Sequence, residues 1–270
     1  MDGRAFVEID HVWMRYHGAG GTLALREASL SVDREEFVAV VGPSGCGKST
    51  LMRLVTGLWR PSAGSVIVAG KEVDRPLSIA GMAFQNPTLL PWRTVLGNVM
   101  LPFEVVDPHA SRLRRHRADY ERRCRDLLDL VGLKGFEGKN PWQLSGGMQQ
   151  RASLCRALVH QPALLMLDEP FAALDVFTRE DLWGVLQTLW LARRPTVILV
   201  THDLREAAFL ADRIAVMSAR PGRIMAERTV DLPRPRTSEM IYSPYFQDLV
   251  KDLRDQIERA RQSDEPAHAH

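Results

Sequence analysis

Cysteine, long apolar runs and net charge are all scarce in this 270-residue sequence. Three cysteines are too few, and odd in number, for a disulfide framework, so we expect reduced thiols and a cytosolic setting. No apolar run approaches the roughly 20 residues that a membrane-spanning helix needs, and the first 16 residues lack the pattern of a signal peptide. A formal net charge of +2 argues against a general nucleic-acid binder.

Short continuous apolar runs indicate strands that are buried on both faces. They occur in FVAVVG (37–42), ALLMLDEP (163–170) and TVILVTHD (196–203), with helical patterns between them. This alternation predicts an α/β fold with a mostly parallel sheet. Ligands of such folds gather at the carboxyl ends of the strands, which here are polar.

The outer parts of the chain carry other patterns. Residues 5–16 alternate loosely and predict an edge strand, while 214–227 predicts two strands joined at Pro221-Gly222. The tail from 233 to 270 is charged, amphipathic around 244–260, and ends in the disorder-prone QSDEPAHAH. We expect this tail to be an accessory segment.

Residues 86–160 are mostly helical in pattern, with loops rich in proline and glycine, and predict a subdomain inserted into the sheet. Within them, SRLRRHRADYERRCR (111–125) carries seven arginines. A solvent-exposed helix face is the favoured interpretation of this run. Contact with lipid headgroups or with an acidic partner is the alternative.

GPSGCGKST (42–50) follows a predicted strand, opens a predicted helix and fits the phosphate-loop motif G-x-x-x-x-G-K-[ST]. The glycines let backbone N–H groups surround phosphate oxygens, and the start of the helix adds partial positive charge. Lys48 can reach the β- and γ-phosphates, and the Ser49 hydroxyl can bind Mg²⁺. The nearby helix start and Lys48 also predict a lowered thiol pKa for Cys46. The predicted nucleotide-binding residues of this segment are Gly42, Pro43, Ser44, Gly45, Cys46, Gly47, Lys48, Ser49 and Thr50.

Polar residues end the other predicted strands. Asp168 is the expected metal ligand, and Glu169 can face an attacking water because consecutive strand residues point in opposite directions. His202 is either a hydrogen-bonded structural residue or a neighbour of the γ-phosphate. Gln85 could lend its amide oxygen to the metal or to a water.

LSGGMQQR (144–151) contains a helix start that local propensity does not explain. Ser145 is a good N-cap, and apolar residues at helical spacing follow it. Gly146 and Gly147 nevertheless occupy the first turn, where each costs up to about 1 kcal/mol relative to alanine. An ordinary capped helix is one interpretation, and close approach of a ligand to the helix start is the other.

In their order along the chain, these motifs resemble the ATPase subunit of an ATP-binding cassette (ABC) transporter. The resemblance covers roughly residues 5–230 and includes the phosphate loop, Gln85, LSGGMQQR, LLMLDEP, AALD (172–175) and VTHD. It implies a P-loop NTPase (RecA-like) core with a mostly parallel sheet, an N-terminal antiparallel β part and an inserted helical signature subdomain. The implied domains are an ABC ATPase domain over 1–232, with the helical subdomain at about 86–160, and a tail over 233–270.

The resemblance implies that two ATPase subunits dimerise head to tail around two ATP. Each ATP would lie between the phosphate loop of one subunit and Ser145, Gly146 and Gly147 of the other. The glycines would then present N–H groups to the partner's γ-phosphate, which answers the question raised by the helix start.

The remaining family roles follow the matching motifs. Glu169 is implied as the general base or water-positioning residue, with Lys48 and the γ-phosphate-sensing His202 completing the catalytic set. Gln85 would couple the metal to the transport subunit, and the loop of Asp175 would cross the dimer interface. Ser49, Gln85 and Asp168 are the implied metal ligands.

An aromatic residue before the phosphate loop would stack on adenine. Tyr16 fits best, with Trp13 and His17 as competitors. The chain departs from the family pattern at Met148, where glutamine is more common, and within DREEF (33–37), where a glycine is usual. We expect the second departure to be an ordinary turn variant.

The resemblance implies an enzyme that hydrolyses ATP with Mg²⁺ to drive import of small solutes such as nitrate, taurine or aliphatic sulfonates. Its partners would be a second ATPase subunit (identical or a paralogue), integral-membrane permease subunits and, indirectly, a periplasmic solute-binding protein, with no nucleic acid. It would lie peripherally on the cytoplasmic face of the inner membrane. The alternative, a non-transport ABC ATPase of DNA repair or translation, would be expected to bring a coiled-coil insertion or a second cassette, and neither fits in this length.

Overall fold

A computed structural model of the protein describes residues 5–16, 21–172 and 174–262. It divides into two compact units. The first unit runs up to Leu77 and resumes at Thr196, and the second comprises Ser78–Pro195. In the described part of the chain, no helix is both long and apolar enough to cross a membrane.

The first unit contains a four-stranded antiparallel sheet in the order β2-β1-β4-β5. Its strands are β1 (Val7–Arg15), β2 (Leu23–Val32), β4 (Ala63–Val68) and β5 (Lys71–Glu72). The prediction of an edge strand over residues 5–16 is therefore wrong, because β1 pairs with β2 on one side and with β4 on the other. Alternation reports which face of a strand is buried and carries no information about its hydrogen-bonded edges.

The same unit contains a mainly parallel set of strands. β3 (Phe37–Val41) is buried at every position and pairs in parallel with β8 (Thr196–Thr201) and β9 (Arg213–Met217). β10 (Ile224–Thr229) returns antiparallel to β9, which confirms the two predicted strands joined at Pro221-Gly222.

The described part of the first unit also contains three α-helices. α1 (Lys48–Val55) follows β3, and α6 (Leu204–Leu210) follows β8. The amphipathic pattern near 244–260 forms α7 (Pro244–Gln262), which buries Phe246 and Leu253 and contacts α6 and β9. Gln262, the first residue of the segment predicted to be disordered, is the last residue of α7, and the rest of that segment (263–270) lies outside the described residues.

The second unit pairs β6 (Ala80–Ala83) in parallel with β7 (Leu164–Asp168). Its helices are α2 (Val95–Val105), α3 (His109–Leu130), α4 (Gly146–Leu158) and α5 (Val176–Arg193). α2, α3 and α4 pack against one another around buried side chains such as Val99, Phe103, Leu128 and Leu154.

Candidate functional site

The loop between β3 and α1 depends on left-handed glycines. Gly45 has φ 74° and Gly47 has φ 110°, and Gly47 is the N-cap of α1. A Cβ on Gly47 would stand 2.8 Å from the Leu25 side chain and 3.0 Å from the Ala24 carbonyl oxygen. Both the backbone conformation and the close packing of β2 therefore require glycine at this position.

Lys48 lies at the start of α1 and is only 5% exposed. Its Nζ donates hydrogen bonds to the carbonyl oxygens of Gly42 and Pro43, both at 2.9 Å. The ammonium group is thus held against the loop, where the helix start also contributes partial positive charge. A loop with this fixed positive potential suits an anionic ligand.

The structure contradicts the prediction for Cys46. Its side chain is buried, and its Sγ lies 3.9 Å from Nζ of Lys48. Burial raises the pKa of the Cys46 thiol, and the opposing charge of Lys48 does not overcome this effect. Desolvation disfavours the thiolate more than the neighbouring ammonium favours it.

The turn between β9 and β10 contacts the phosphate loop. The sequence predicts the loop but not this contact. A Cβ on Gly222 would stand 2.1 Å from the Cys46 carbonyl oxygen, so the two backbones are in close contact. Arg220, in the same turn, donates hydrogen bonds to the Gly45 carbonyl oxygen. Pro221-Gly222 signals a turn, but nothing in the local sequence indicates what this turn contacts.

Tyr16 lies beside the helix that follows the loop. Its hydroxyl is 2.6 Å from Oγ1 of Thr50, and its ring contacts Trp59 edge-on with centroids 5.5 Å apart. Trp13 lies within β1, opposite Ala63 of β4. The third candidate, His17, lies outside the described residues. These contacts place Tyr16 next to the loop, and adenine stacking by Tyr16 stays a prediction.

His202 follows β8 at the edge of the sheet where β3 ends. Val41 of β3 pairs with Thr201 of β8. Gly42 and His202, the next residues, therefore follow the ends of two neighbouring parallel strands. His202 is exposed. The strand-end reasoning thus places the histidine beside the start of the loop, as expected for residues that share one sheet edge.

In the second unit, Ser145 is the N-cap of α4, as predicted. Its Oγ accepts a hydrogen bond from the Met148 N–H at 3.3 Å. A Cβ on Gly146 would meet no described atom within 4 Å, whereas a Cβ on Gly147 would stand 3.3 Å from the Thr178 side chain. Packing within the described residues therefore restricts Gly147 but leaves the glycine at 146 unexplained.

The glutamines of LSGGMQQR have structural partners that the sequence did not reveal. Nε2 of Gln149 donates to the Pro141 and Leu144 carbonyl oxygens at 3.0 and 3.3 Å. Nε2 of Gln150 donates to the Phe84 carbonyl oxygen at 3.1 Å. This hydrogen bond links α4 to Phe84, the residue that precedes Gln85.

β7 ends at the half-buried Asp168, and the chain turns immediately afterwards. Glu169 has φ 46°, a left-handed conformation that is uncommon for a residue other than glycine. The reasoning from strand alternation therefore does not apply to Glu169, because this residue is no longer extended. Such strained backbone is concentrated at functional sites, which is consistent with the role predicted for this carboxylate.

The two remaining predicted residues also belong to the second unit. Gln85 follows β6 by two residues and is exposed. Asp175 is the N-cap of α5, with Oδ1 accepting from the Thr178 N–H at 3.0 Å. Hydrogen bonding to Thr178 lowers the pKa of Asp175. Residue 173 of the AALD loop lies outside the described residues.

Glu35 clarifies one departure of the sequence from the family pattern. It has φ 63° in the turn before β3, within the segment DREEF (33–37) that departs from the family pattern. Its N–H donates to Oγ1 of Thr196 at 3.0 Å, which fixes the turn to β8. The segment forms a turn, and the left-handed conformation at Glu35 is one that glycine adopts without strain. That this departure is an ordinary turn variant stays a prediction.

Together, the buried strand, the glycine loop and the lysine at the helix start match the strand–loop–helix pattern of a P-loop nucleotide site on an α/β fold. A family model described as ABC transporter matches residues 25–172, which is more than half of the chain. The chain belongs to this family.

Curated relatives agree with this assignment. An aliphatic sulfonates import ATP-binding protein of Bacillus licheniformis is 41% identical over 241 residues, covering 89% of each chain. The nitrate import ATP-binding protein NrtD of Synechococcus elongatus is 40% identical over 244 residues, covering 89% of this chain and 86% of the relative. An uncharacterized ABC transporter ATP-binding protein of Methanocaldococcus jannaschii is 43% identical over 87% of this chain and 85% of its own length.

Solved structures show the same fold. A dimeric structure of MJ0796, a bacterial ABC transporter cassette, superposes with a TM-score of 0.73 at 30% identity. The match covers 84% of this chain and all of that one. A second structure of MJ0796, in a post-hydrolysis state bound to ADP and Pi, gives a TM-score of 0.72.

Proposed function

We propose that this protein is the ATP-hydrolysing subunit of an importer and that it forms a head-to-tail dimer around two ATP. The observation that carries the proposal is the exposed start of α4. Ser145 and Gly146 face open space, and nothing in the described chain requires glycine at 146. A helix start with free N–H groups and no side chain in the way suits a phosphate supplied from another subunit.

The residues of the loop fit the phosphates of a nucleotide. The left-handed Gly45 and Gly47 shape the loop, and the ammonium group of Lys48 lies against it. Lys48 would bind phosphate oxygens, while Ser49, Asp168 and Gln85 would hold Mg²⁺. The ion would neutralise charge on the phosphates. In the described residues no group of three or more His, Cys, Asp or Glu side chains could hold a metal, so the proposed set relies on a hydroxyl and an amide beside one carboxylate.

Glu169 would orient the attacking water or accept its proton. Its backbone turns directly after Asp168. In the proposed mechanism Asp168 would hold the metal while Glu169 serves the water. His202 would respond to the γ-phosphate from the sheet edge beside Gly42. Ser145, Gly146 and Gly147 of the second subunit would complete the cradle around the transferred phosphate.

Solute import is supported by the relatives, whose names specify aliphatic sulfonates and nitrate. The proposed partners are a second ATPase subunit and integral-membrane permease subunits, which would hold this protein on the cytoplasmic face of the membrane. Trp92 is 75% exposed in the segment that follows Gln85. We propose that Trp92, with Leu89, Leu90 and Pro91, lines a groove that receives a permease helix.

A mixing experiment tests the composite site. Lys48→Ala disables the phosphate loop and Ser145→Arg disables the start of α4, so each variant alone would form dimers with no intact site. A head-to-tail heterodimer would hold one intact site, made from the phosphate loop of the Ser145→Arg subunit and the α4 start of the Lys48→Ala subunit. We expect the mixture to hydrolyse ATP at least about tenfold faster than either variant alone. Activity in the mixture that equals the mean of the separate variants would contradict the proposal.

A further inference from the structure

Helix α3 is bent rather than straight. Its backbone leaves the helical conformation at His116, with φ −112° and ψ 17°. In a straight helix, Arg112 and Arg123 would stand about 16 Å apart. Here both lie close enough to His109 to act on it: burial lowers the pKa of His109 most, and repulsion from Arg123 and Arg112 lowers it further.

The two arms of the bent helix enclose a cleft of about 440 Å³. Tyr120 forms a buried base, with its ring stacked on Phe103 at a centroid distance of 4.1 Å. The Tyr120 hydroxyl lies 3.2 Å from Nδ1 of His109. Three arginines, Arg112, Arg122 and Arg123, line the cleft together with the imidazoles of His109 and His116.

The positive charge of the arginines that line the cleft is not neutralised by acidic residues in the same lining. Asp119 lies there too, but its carboxylate already accepts a hydrogen bond from Arg122 at 2.7 Å. Within the described chain, the side chains of Arg112 and Arg123 form no ion pair or hydrogen bond. Burial lowers the pKa of the nearby Arg193 most, and the positive charge of Arg123 lowers it further. The cleft thus holds repelling cations that an anion would stabilise.

We propose that this cleft binds a phosphate group, with Arg112 and Arg123 as its main ligands. The planar guanidinium group matches phosphate oxygens with paired N–H donors. Half-buried imidazoles and the Tyr120 hydroxyl add groups that can hydrogen-bond to the same oxygens. The phosphate would belong either to an anionic lipid headgroup or to a soluble phosphate compound. None of the residues that line the cleft is among those proposed for the ATP site.

The test uses a Lys48→Ala protein, so that the phosphate loop does not contribute to binding. In that protein, the double variant Arg112→Gln/Arg123→Gln is compared with Arg114→Gln/Arg115→Gln. The control pair lies on the same helix, is exposed, does not line the cleft and removes the same charge. The probes are inorganic pyrophosphate, by calorimetry, and phosphatidylglycerol–phosphatidylcholine vesicles, by sedimentation against pure phosphatidylcholine.

We expect the cleft variant to lose about tenfold or more in affinity for one probe, while the control pair changes little. Loss for pyrophosphate identifies a soluble phosphate ligand, and loss for anionic vesicles alone identifies a lipid headgroup. Absence of binding to both probes, or equal losses in the two pairs, would overturn the proposal. Thermal unfolding checks each variant, and the single change of the exposed Arg112 to Gln repeats the test if the double variant is unfolded.

Discussion

The guanidinium group of Arg220 donates two hydrogen bonds to the Gly45 carbonyl oxygen, from Nε at 3.1 Å and from Nη2 at 2.8 Å. Because the peptide unit is planar, fixing this carbonyl also fixes the direction of the Cys46 N–H. A residue from the turn after β9 therefore sets the orientation of one peptide unit in the phosphate loop.

Arg220→Ala is expected to weaken ATP binding. The loop would lose its external support, and the change in Kd should be about threefold to tenfold, as for one hydrogen-bonding group of moderate strength. Calorimetric titration with Mg-ATP measures the effect. Arg223→Ala, in the same turn, is the control. Equal affinities of the two variants would show that Arg220 does not organise the loop.

The cysteine thiols are expected to react slowly with iodoacetamide in the folded protein. Burial raises the pKa of the Cys46 thiol and raises that of Cys124 to about 12, so the thiolate fraction at pH 8 is below that of an exposed cysteine. These groups stabilise the fold below their unfolded pKa, and that contribution is lost as the pH rises toward the folded values. Mass spectrometry should find alkylation only after denaturation. Rapid labelling of native Cys46 that ATP blocks would contradict this expectation.

Arg236 is expected to be essential for stability. It is 3% exposed, and its Nη1 donates to the carbonyl oxygens of Ala208, Phe209 and Ala211 at the end of α6. Burial lowers its pKa to about 10, so the side chain is still charged at neutral pH. Arg236→Ala should cost about 3 kcal/mol in the free energy of unfolding, because buried carbonyls lose their donor.

Urea unfolding measures this loss, with the exposed Arg254→Ala on α7 as control. The control should change the free energy of unfolding by less than about 0.5 kcal/mol. Arg236→Lys should recover part of the loss. A cost for Arg236→Ala no larger than that of the control would mean that these hydrogen bonds contribute little.

Trp92→Ala is expected to separate transport from hydrolysis. In a reconstituted transporter, loss of an exposed aromatic contact with the permease should lower solute uptake by about tenfold or more. The basal ATPase rate of the isolated subunit should stay within about twofold, because Trp92 is exposed and is not among the residues proposed to act in hydrolysis. Tyr242→Ala removes a similarly exposed aromatic side chain and serves as control. Equal loss of uptake and hydrolysis by a folded Trp92→Ala protein would exclude a coupling role.

Local patterns predicted the features that arise from neighbouring residues. The buried strand Phe37–Val41, the loop that follows it and the helix from Lys48 are adjacent in the chain, so their composition and order predict their conformation. The same holds for the N-cap Ser145, because capping is decided within one helical turn.

Features that depend on distant residues were missed or predicted wrongly. β1 is an interior strand because of its pairing with Ala63–Val68, about 55 residues further along the chain. The support of Gly45 by Arg220 spans 175 positions, and the burial that raises the pKa of the Cys46 thiol comes from the surrounding fold. Glu169 is left-handed although it is neither glycine nor asparagine, the residues that favour this conformation. Residue propensities therefore could not predict its backbone conformation.

In the proposed dimer, Ser145 and Gly146 complete a second subunit's ATP site. Replacing Glu169 by Gln should slow hydrolysis by about 10²–10⁴ without abolishing ATP binding, so that an ATP-bound dimer accumulates. Light scattering of Glu169→Gln protein should therefore show its mass double on addition of Mg-ATP, and the further change Ser145→Arg should abolish the doubling. A mass that stays monomeric with bound ATP, or a dimer that Ser145→Arg leaves intact, would contradict the composite site.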